Sequence, residues 1–175
     1  ACPPRHRGLP PASPHAPPAF PVQRRLGAAR RRTGGRATPT ASRVVTCGTP
    51  LRGKVALVTG AALDRGIGRG IALALAERGA DVVVNDVAHE EEAGERVREI
   101  EERGRRSTFV KADVALAAEA ERMVAEAVAK LGRLDIFVNN AGVQTWQELT
   151  EVTREAWDRI TGVNLHGAFA GCRAA

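Results

Sequence analysis

Three closely spaced glycines carry the first chemical signal in the sequence. Gly60, Gly66 and Gly68 belong to the run VTGAALDRGIG, which follows an apolar stretch at residues 54–58 and leads into a helix-like segment from Ile71. A glycine-rich turn between a strand and a helix lets the backbone approach a phosphate closely, and the helix N-terminus favours the negative charge. The turn therefore predicts a site for the pyrophosphate of a dinucleotide.

Two charged residues bear on the choice between dinucleotides. Asp86 ends the second predicted strand, and a carboxylate there can accept both hydroxyls of the adenosine ribose while repelling a 2′-phosphate. Arg65, inside the glycine turn, indicates the opposite, because a guanidinium can bind a 2′-phosphate. Each has a structural alternative: Asp86 could form a turn or cap the next helix, and Arg65 could be a solvated side chain paired with Asp64. We expect NAD as the cofactor, with NADP as the alternative.

Strands and helices alternate from residue 54 onward and must position these residues. Short apolar runs rich in β-branched residues predict strands, and apolar residues at helical spacing predict helices. The strands are expected at 55–58, 82–84, 107–111 and 134–138, and the helices at 71–78, 89–103, 116–131 and from about 153 onward. This alternation predicts an α/β fold, a Rossmann-like three-layer α/β/α arrangement around a parallel sheet.

Further motifs follow the third and fourth predicted strands. With Asp113-Val114, Asn139-Asn140-Ala141-Gly142 and Val163-Asn164, the glycine turn makes residues 52–175 resemble the short-chain dehydrogenase/reductase family, especially its 3-oxoacyl reductase and glucose-dehydrogenase-like members. The resemblance implies a set of cofactor-binding residues: Gly60, Gly66, Ile67 and Gly68 for the pyrophosphate, Asp113 and Val114 for the adenine ring, and Asn140, Ala141 and Gly142 for the nicotinamide ribose.

The same resemblance implies an activity. The family moves hydride between a nicotinamide and an alcohol or ketone carbon, and Asn164 matches the asparagine of its Asn-Ser-Tyr-Lys tetrad, which anchors a water in the proton relay. Asn139 would tie neighbouring strands together. An asparagine inside a helix can also simply bond its own backbone, which is the alternative for Asn164. The expected substrate is a small alcohol or ketone. The complete enzyme is expected to be a homo-oligomer, since relatives commonly pair through the last helix of this sequence and the helix that would follow it.

Two features depart from the family pattern. The family usually has three residues between the first two glycines, whereas five separate Gly60 from Gly66. The family's serine and Tyr-x-x-x-Lys would fall after Ala175, and the sequence contains no tyrosine. A positioned acid or base contributes about 10²–10⁴-fold in rate. We therefore expect a C-terminally truncated, cofactor-binding portion of an oxidoreductase that is inactive by itself. The alternative is a non-catalytic dinucleotide-binding or interaction module.

The first part of the chain has a different composition. Residues 1–52 contain ten arginines and no acidic residue, and all ten prolines lie within residues 1–50. Because such a segment cannot offset its ordering entropy by burial, we expect disorder at 1–51 and one nucleotide-binding domain at 52–175. The segment could be an organelle transit peptide, an arm that binds nucleic acid, or a stretch without function, and we favour the last.

Composition also argues against several other classes of protein. No apolar run reaches the ~20 residues that a membrane-spanning helix needs, and no secretory signal is recognisable. The three cysteines, Cys2, Cys47 and Cys172, are spaced neither as a disulfide framework nor as a zinc site. We expect no metal, no membrane association and no nucleic-acid partner. The expected location is the cytoplasm, unless the first segment directs the chain to an organelle.

Overall fold

Four parallel strands form the centre of the molecule. The computed structural model describes residues 49–175. Its strands are β1 (Val55–Val58), β2 (Asp81–Asp86), β3 (Ser107–Lys111) and β4 (Ile136–Val138). They lie in the order β3-β2-β1-β4, and Val58 is paired with Val84 on one side and Val138 on the other. The predicted α/β fold with a parallel sheet is confirmed.

Helices connect the strands and follow the last one. They are α1 (Ile67–Glu77), α2 (Glu90–Glu101), α3 (Ala117–Leu131), α4 (Arg154–Thr161) and α5 (Ala168–Ala174). A single 3₁₀ turn, Leu149–Glu151, precedes α4, and a π-helical segment, Gly162–Gly167, joins α4 to α5.

Side chains of alternate strand positions pack into two separate hydrophobic cores. Leu57 and Val83 contact the core that contains α3, together with Val163 and Ala174 from the last helical stretch. The strand residues between them contact the core that contains α1 and α2, including Ala72 and Ile100. Because successive side chains of a strand point to opposite faces, this division produces three layers, helix, sheet and helix.

Two helix predictions differ from the structure, one at its start and one in its interior. The first helix begins at Ile67, four residues before the predicted start at Ile71, because Gly66 with φ −79° and ψ 146° takes the N-cap position. The glycines of its first turn have low helix propensity, and tertiary packing overrides that preference. The last helix is interrupted by the π segment between Thr161 and Ala168, which its sequence pattern did not indicate.

Almost all of the arginine- and proline-rich segment predicted at 1–51 lies outside the described residues. Its last residue, Leu51, packs against the core that contains α1, and its N–H donates a hydrogen bond of 3.0 Å to the carbonyl of Arg78. The folded part therefore includes Leu51. Within residues 49–175, the helices are too short or too polar to cross a membrane.

Candidate functional site

A cleft opens at the carboxyl ends of the strands, where the strand order reverses. From β1 the chain adds β2 and then β3 on one side of the sheet. It then crosses back to add β4 on the other side of β1, so the direction of strand addition reverses at β1. The cleft has a volume of about 470 Å³. Most of the residues predicted to bind a cofactor line it, namely Gly60, Ile67, Asp86, Asp113, Val114, Asn140, Ala141 and Gly142. Such a reversal is the usual place for a ligand in open α/β sheets.

Close backbone packing explains the first and last glycines of the turn. Gly60 has a φ of 62°, and a Cβ there would lie 2.9 Å from the Ala141 Cα. A Cβ on Gly68 would overlap the carbonyl oxygen of Gly60 and lie 2.6 Å from Nδ2 of Asn140. Substitution at Gly68 would therefore push the turn away from the loop that follows β4.

The N-terminus of α1 offers backbone N–H groups as hydrogen-bond donors. Gly66 caps the helix without a side-chain hydrogen bond, and the first turn contains no acidic residue. Within the described part of the chain, the N–H groups of Ile67 and Gly68 meet no acceptor. These donors and the helix dipole suit an anion such as a phosphate.

Thr59 and Asn140 join the two strands that border the cleft. The Thr59 hydroxyl accepts hydrogen bonds from the N–H groups of Asn140 and Ala141, each at 3.0 Å, and Nδ2 of Asn140 donates to the carbonyls of Thr59 at 2.8 Å and Gly60 at 3.0 Å. The strand-tying role that the family resemblance implied for Asn139 thus belongs to Asn140, and Asn139 is exposed. Thr59 was not among the predicted site residues, although a hydroxyl residue between a predicted strand and the glycine turn was a signal in the sequence.

Asp86 is almost buried at the end of β2, with 8% of its surface exposed. Its Oδ1 accepts a hydrogen bond of 2.9 Å from the Val87 N–H and lies 3.2 Å from Nδ1 of His89, and its Oδ2 accepts one of 3.3 Å from the Ala62 N–H. The carboxylate therefore shapes the turn after β2 and also faces the cleft. The interpretation of Asp86 as a turn-forming residue is confirmed, and its position leaves the carboxylate at the cleft.

The turn after β3 is organised around Asp113. Its Oδ1 accepts a hydrogen bond of 2.9 Å from the Ala115 N–H, and its own N–H donates to Oε2 of Glu119 at 2.7 Å. These bonds fix the turn that brings buried Val114 to the cleft. Opposite this turn, Gly167 of the π segment lies so close that a Cβ would be 2.9 Å from the Val114 carbonyl oxygen.

A family model described as "Enoyl-(Acyl carrier protein) reductase" matches residues 60–175, about two thirds of the chain. The chain belongs to the short-chain dehydrogenase/reductase family. Hydroxynaphthalene reductase-like protein Arp2 of Metarhizium robertsii is 48% identical over 119 residues, which cover 68% of this chain and 44% of that protein. An uncharacterized NAD-dependent oxidoreductase of Mycobacterium tuberculosis is 43% identical over 139 residues, covering 73% of this chain and 50% of that protein.

Solved structures of the short-chain dehydrogenase/reductase family have the same fold. A short chain dehydrogenase of Burkholderia cenocepacia in complex with NADP superposes with a TM-score of 0.68 at 38% identity, covering 71% of this chain and 50% of that one. A blue fluorescent protein from a metagenomic library, in complex with NADPH, superposes equally well and is also 38% identical. The chain spans about half the length of the relatives it matches.

The lengthened glycine turn of this short-chain dehydrogenase/reductase chain is held by α2. Asp64 pairs with the buried guanidinium of Arg96 at 2.8 Å, and not with Arg65 as one interpretation of the sequence had it. Arg65 is exposed and takes part in none of the ion pairs among residues 49–175. Arg69 of α1 donates two hydrogen bonds to Glu99 of α2, and these hold the pKa of the Glu99 carboxyl below its usual range despite burial.

Asn164 lies in the π segment, beside the loop that follows β4. Its Nδ2 donates to the Val143 carbonyl at 2.8 Å, and its Oδ1 accepts from the Val143 N–H at 2.9 Å. Val143 lines the cleft, whereas Asn164 itself does not. The alternative that Asn164 bonds its own helix backbone is therefore wrong, since both ends of its amide hold a different element.

Proposed function

We propose that the chain is the cofactor-binding part of an NAD(P)-dependent oxidoreductase that transfers hydride between a nicotinamide and an alcohol or ketone carbon. The observation that carries the proposal is the close approach of Gly60, Gly68 and Asn140 at the reversal of strand order. It leaves a cleft whose volume of about 470 Å³ is typical of small-molecule sites. NAD dependence of one relative and NADP or NADPH in two similar structures support the same cofactor class.

Residues of this chain suit the successive parts of a dinucleotide. We assign the pyrophosphate to Gly60 and the N–H groups of Ile67 and Gly68, which meet no acceptor among the described residues. Asp86, Asp113 and Val114 would hold the adenosine end, and Asn140, Ala141 and Gly142 the nicotinamide end. The Asp86 carboxylate favours NAD, and exposed Arg65 keeps NADP as the alternative.

The protein's contribution to the reaction is binding and orientation. A bound nicotinamide supplies the hydride donor or acceptor. We place Asn164 as a positioning residue for the proton relay, acting through the Val143 backbone that it holds on both sides. The family's tyrosine acid has no counterpart in these 175 residues, so we propose that they do not turn over substrate by themselves.

Replacement of one glycine tests the proposal. Gly68→Ala fills the space between the turn and Asn140, so it should weaken NAD binding at least about tenfold by calorimetry. Gly70→Ala is the matched control, because a Cβ on Gly70, in the same helix, meets nothing within 4 Å. Absence of NAD and NADP binding to the unaltered, folded chain would refute the proposal. Equal binding by both variants would refute the assignment of the pyrophosphate to this turn.

A non-catalytic dinucleotide-binding or interaction module is the second candidate. Among the described strands, β4 pairs with β1 alone, and large apolar side chains on and before the last helical stretch are exposed. Trp146 is 90% exposed and Phe169 66% exposed. An interaction module would present these to a partner chain, and a homo-oligomeric enzyme would present them to a second copy. A turnover assay on the longest chain that the coding sequence provides separates the two functions.

A further inference from the structure

His89 has an unusual conformation at the rim of the cleft. It precedes α2 with a φ of 60°, and within residues 49–175 it is the only residue other than glycine with a positive φ. A side chain with a Cβ rarely adopts this conformation, and its cost is usually offset by a surrounding structure that holds it. The imidazole lines the cleft and keeps 39% of its side-chain surface exposed.

The contact with Asp86 determines which ring nitrogen remains available. Nδ1 of His89 lies 3.2 Å from Oδ1 of Asp86. Because a carboxylate accepts hydrogen bonds, Nδ1 carries the proton in that contact, and in a neutral ring Nε2 is then an acceptor. A second proton on the ring converts Nε2 into a donor and gives the imidazole a positive charge. The same nitrogen therefore attracts a hydroxyl in one state and a phosphate in the other.

Most of the charged side chains near His89 are acidic, although Arg159 lines the same cleft together with Asp113. Asp86 lies under it, and Glu90, Glu91 and Glu92 follow it in the first turn of α2. Lys111 of β3 is paired with Glu90 at 2.8 Å, so its charge is largely compensated. A phosphate monoester is repelled by such surroundings, and a protonated imidazole beside Asp86 offsets part of that repulsion.

We propose that His89, held on Asp86, is a proton-dependent determinant of the choice between NAD and NADP. With a neutral ring, the Asp86 carboxylate and the Nε2 acceptor favour ribose hydroxyls and disfavour a 2′-phosphate. With a protonated ring, the imidazolium neutralises Asp86 and donates to the 2′-phosphate. The inference rests on the proposed function, in which Asp86 binds the adenosine end of the cofactor.

Calorimetric titration with NAD⁺ and NADP⁺ at about pH 5.5 and about pH 8 tests the inference. We expect the ratio of the NADP⁺ to the NAD⁺ dissociation constant to fall roughly tenfold on acidification, as for one charge-assisted hydrogen bond. His89→Asn should remove most of this pH dependence. Asparagine tolerates a positive φ and can still donate to Asp86, but it does not titrate.

His166→Asn is the matched control, because His166 is an exposed histidine of the π segment that does not line the cleft. It should retain the pH dependence of the original chain. The 2′-phosphate takes up its own second proton near pH ~6, and this contribution is common to all three chains. Equal pH dependence in the original chain and His89→Asn would overturn the inference while leaving the proposed function intact. Failure of both nucleotides to bind at either pH would overturn the proposed function and this inference with it.

Discussion

The hydroxyl of Thr59 is one of the groups that join β1 to the loop after β4 at the bottom of the cleft. Thr59 is fully buried, and its Oγ1 accepts both the Asn140 and the Ala141 N–H groups. Thr59→Val keeps the shape but leaves two partly buried donors without an acceptor. Such a loss costs up to about 1–3 kcal/mol for each fully buried donor. We expect a loss of about 2 kcal/mol or more in the free energy of unfolding in urea, together with weaker NAD binding. Thr59→Ser should retain both properties, and equal behaviour of the two variants would show that the hydroxyl has no such role.

The positions of individual site residues were predictable to the extent that they follow strand ends. Asp86 ends β2, and Gly60, Asp113 and Asn140 each come two residues after the end of a strand. The carboxyl ends of parallel strands meet at one edge of the sheet. Their partners were not predictable. Asp64 meets Arg96, 32 positions later in the chain, because α1 and α2 pack side by side, and neighbouring residues give no sign of it.

At the scale of elements, strand identity was easier to predict than helix ends. The strands are short apolar runs, because β1 and β2 are buried along their whole lengths. The start of α1 and the π segment depend instead on close packing. The first turn of α1 includes Gly68, whose backbone packs closely against the carbonyl of Gly60. The π segment places the Asn164 amide within hydrogen-bond distance of the Val143 backbone. Such requirements arise from the assembled fold and not from the local pattern.

The amino end of β2 is held by an ionic cluster. Burial by itself would raise the pKa of Asp81, but hydrogen bonds from Arg106 and Arg105 hold it below its usual value. A carboxyl whose pKa is lowered by folding stabilises the fold above its unfolded pKa of about 3.9. That contribution is lost as the pH falls through the folded value.

Asp81→Asn should therefore lower the free energy of unfolding by about 2 kcal/mol at neutral pH, since it weakens hydrogen bonds to a charged group. In acid the difference between the two chains should shrink, as Asp81 becomes protonated in the original chain. Urea unfolding at about pH 7, about pH 5 and about pH 3 measures it. A difference that stays constant over this range would contradict the assignment of the effect to the ionised carboxylate. Asp135→Asn, at the amino end of β4, offers a comparison at a more exposed ion pair.

At the scale of the whole molecule, binding and catalysis need not reside in the same stretch of chain. The described residues 49–175 contain both cores and line the cleft that we assign to the cofactor. The sequence contains no tyrosine that could serve as the family's proton donor. The physical requirements are also different: a cleft needs only close backbone packing at the reversal of strand order, whereas hydride transfer needs an acid or base beside the substrate.

We therefore expect the 175 residues to bind NAD without reducing it. Incubation with NAD⁺ and a panel of secondary alcohols should give no increase in nicotinamide absorbance above that of Gly68→Ala, while Gly70→Ala still binds the cofactor. Turnover above that background would mean that a group other than tyrosine moves the proton, and the Asn164 region would be the first place to look for it.

If the coding frame continues past Ala175 into a serine and Tyr-x-x-x-Lys, the longer chain should gain about 10²–10⁴-fold or more in rate from the positioned acid. The NAD affinity contributed by the glycine turn should change little, because residues 49–175 already supply the contacts described for the turn.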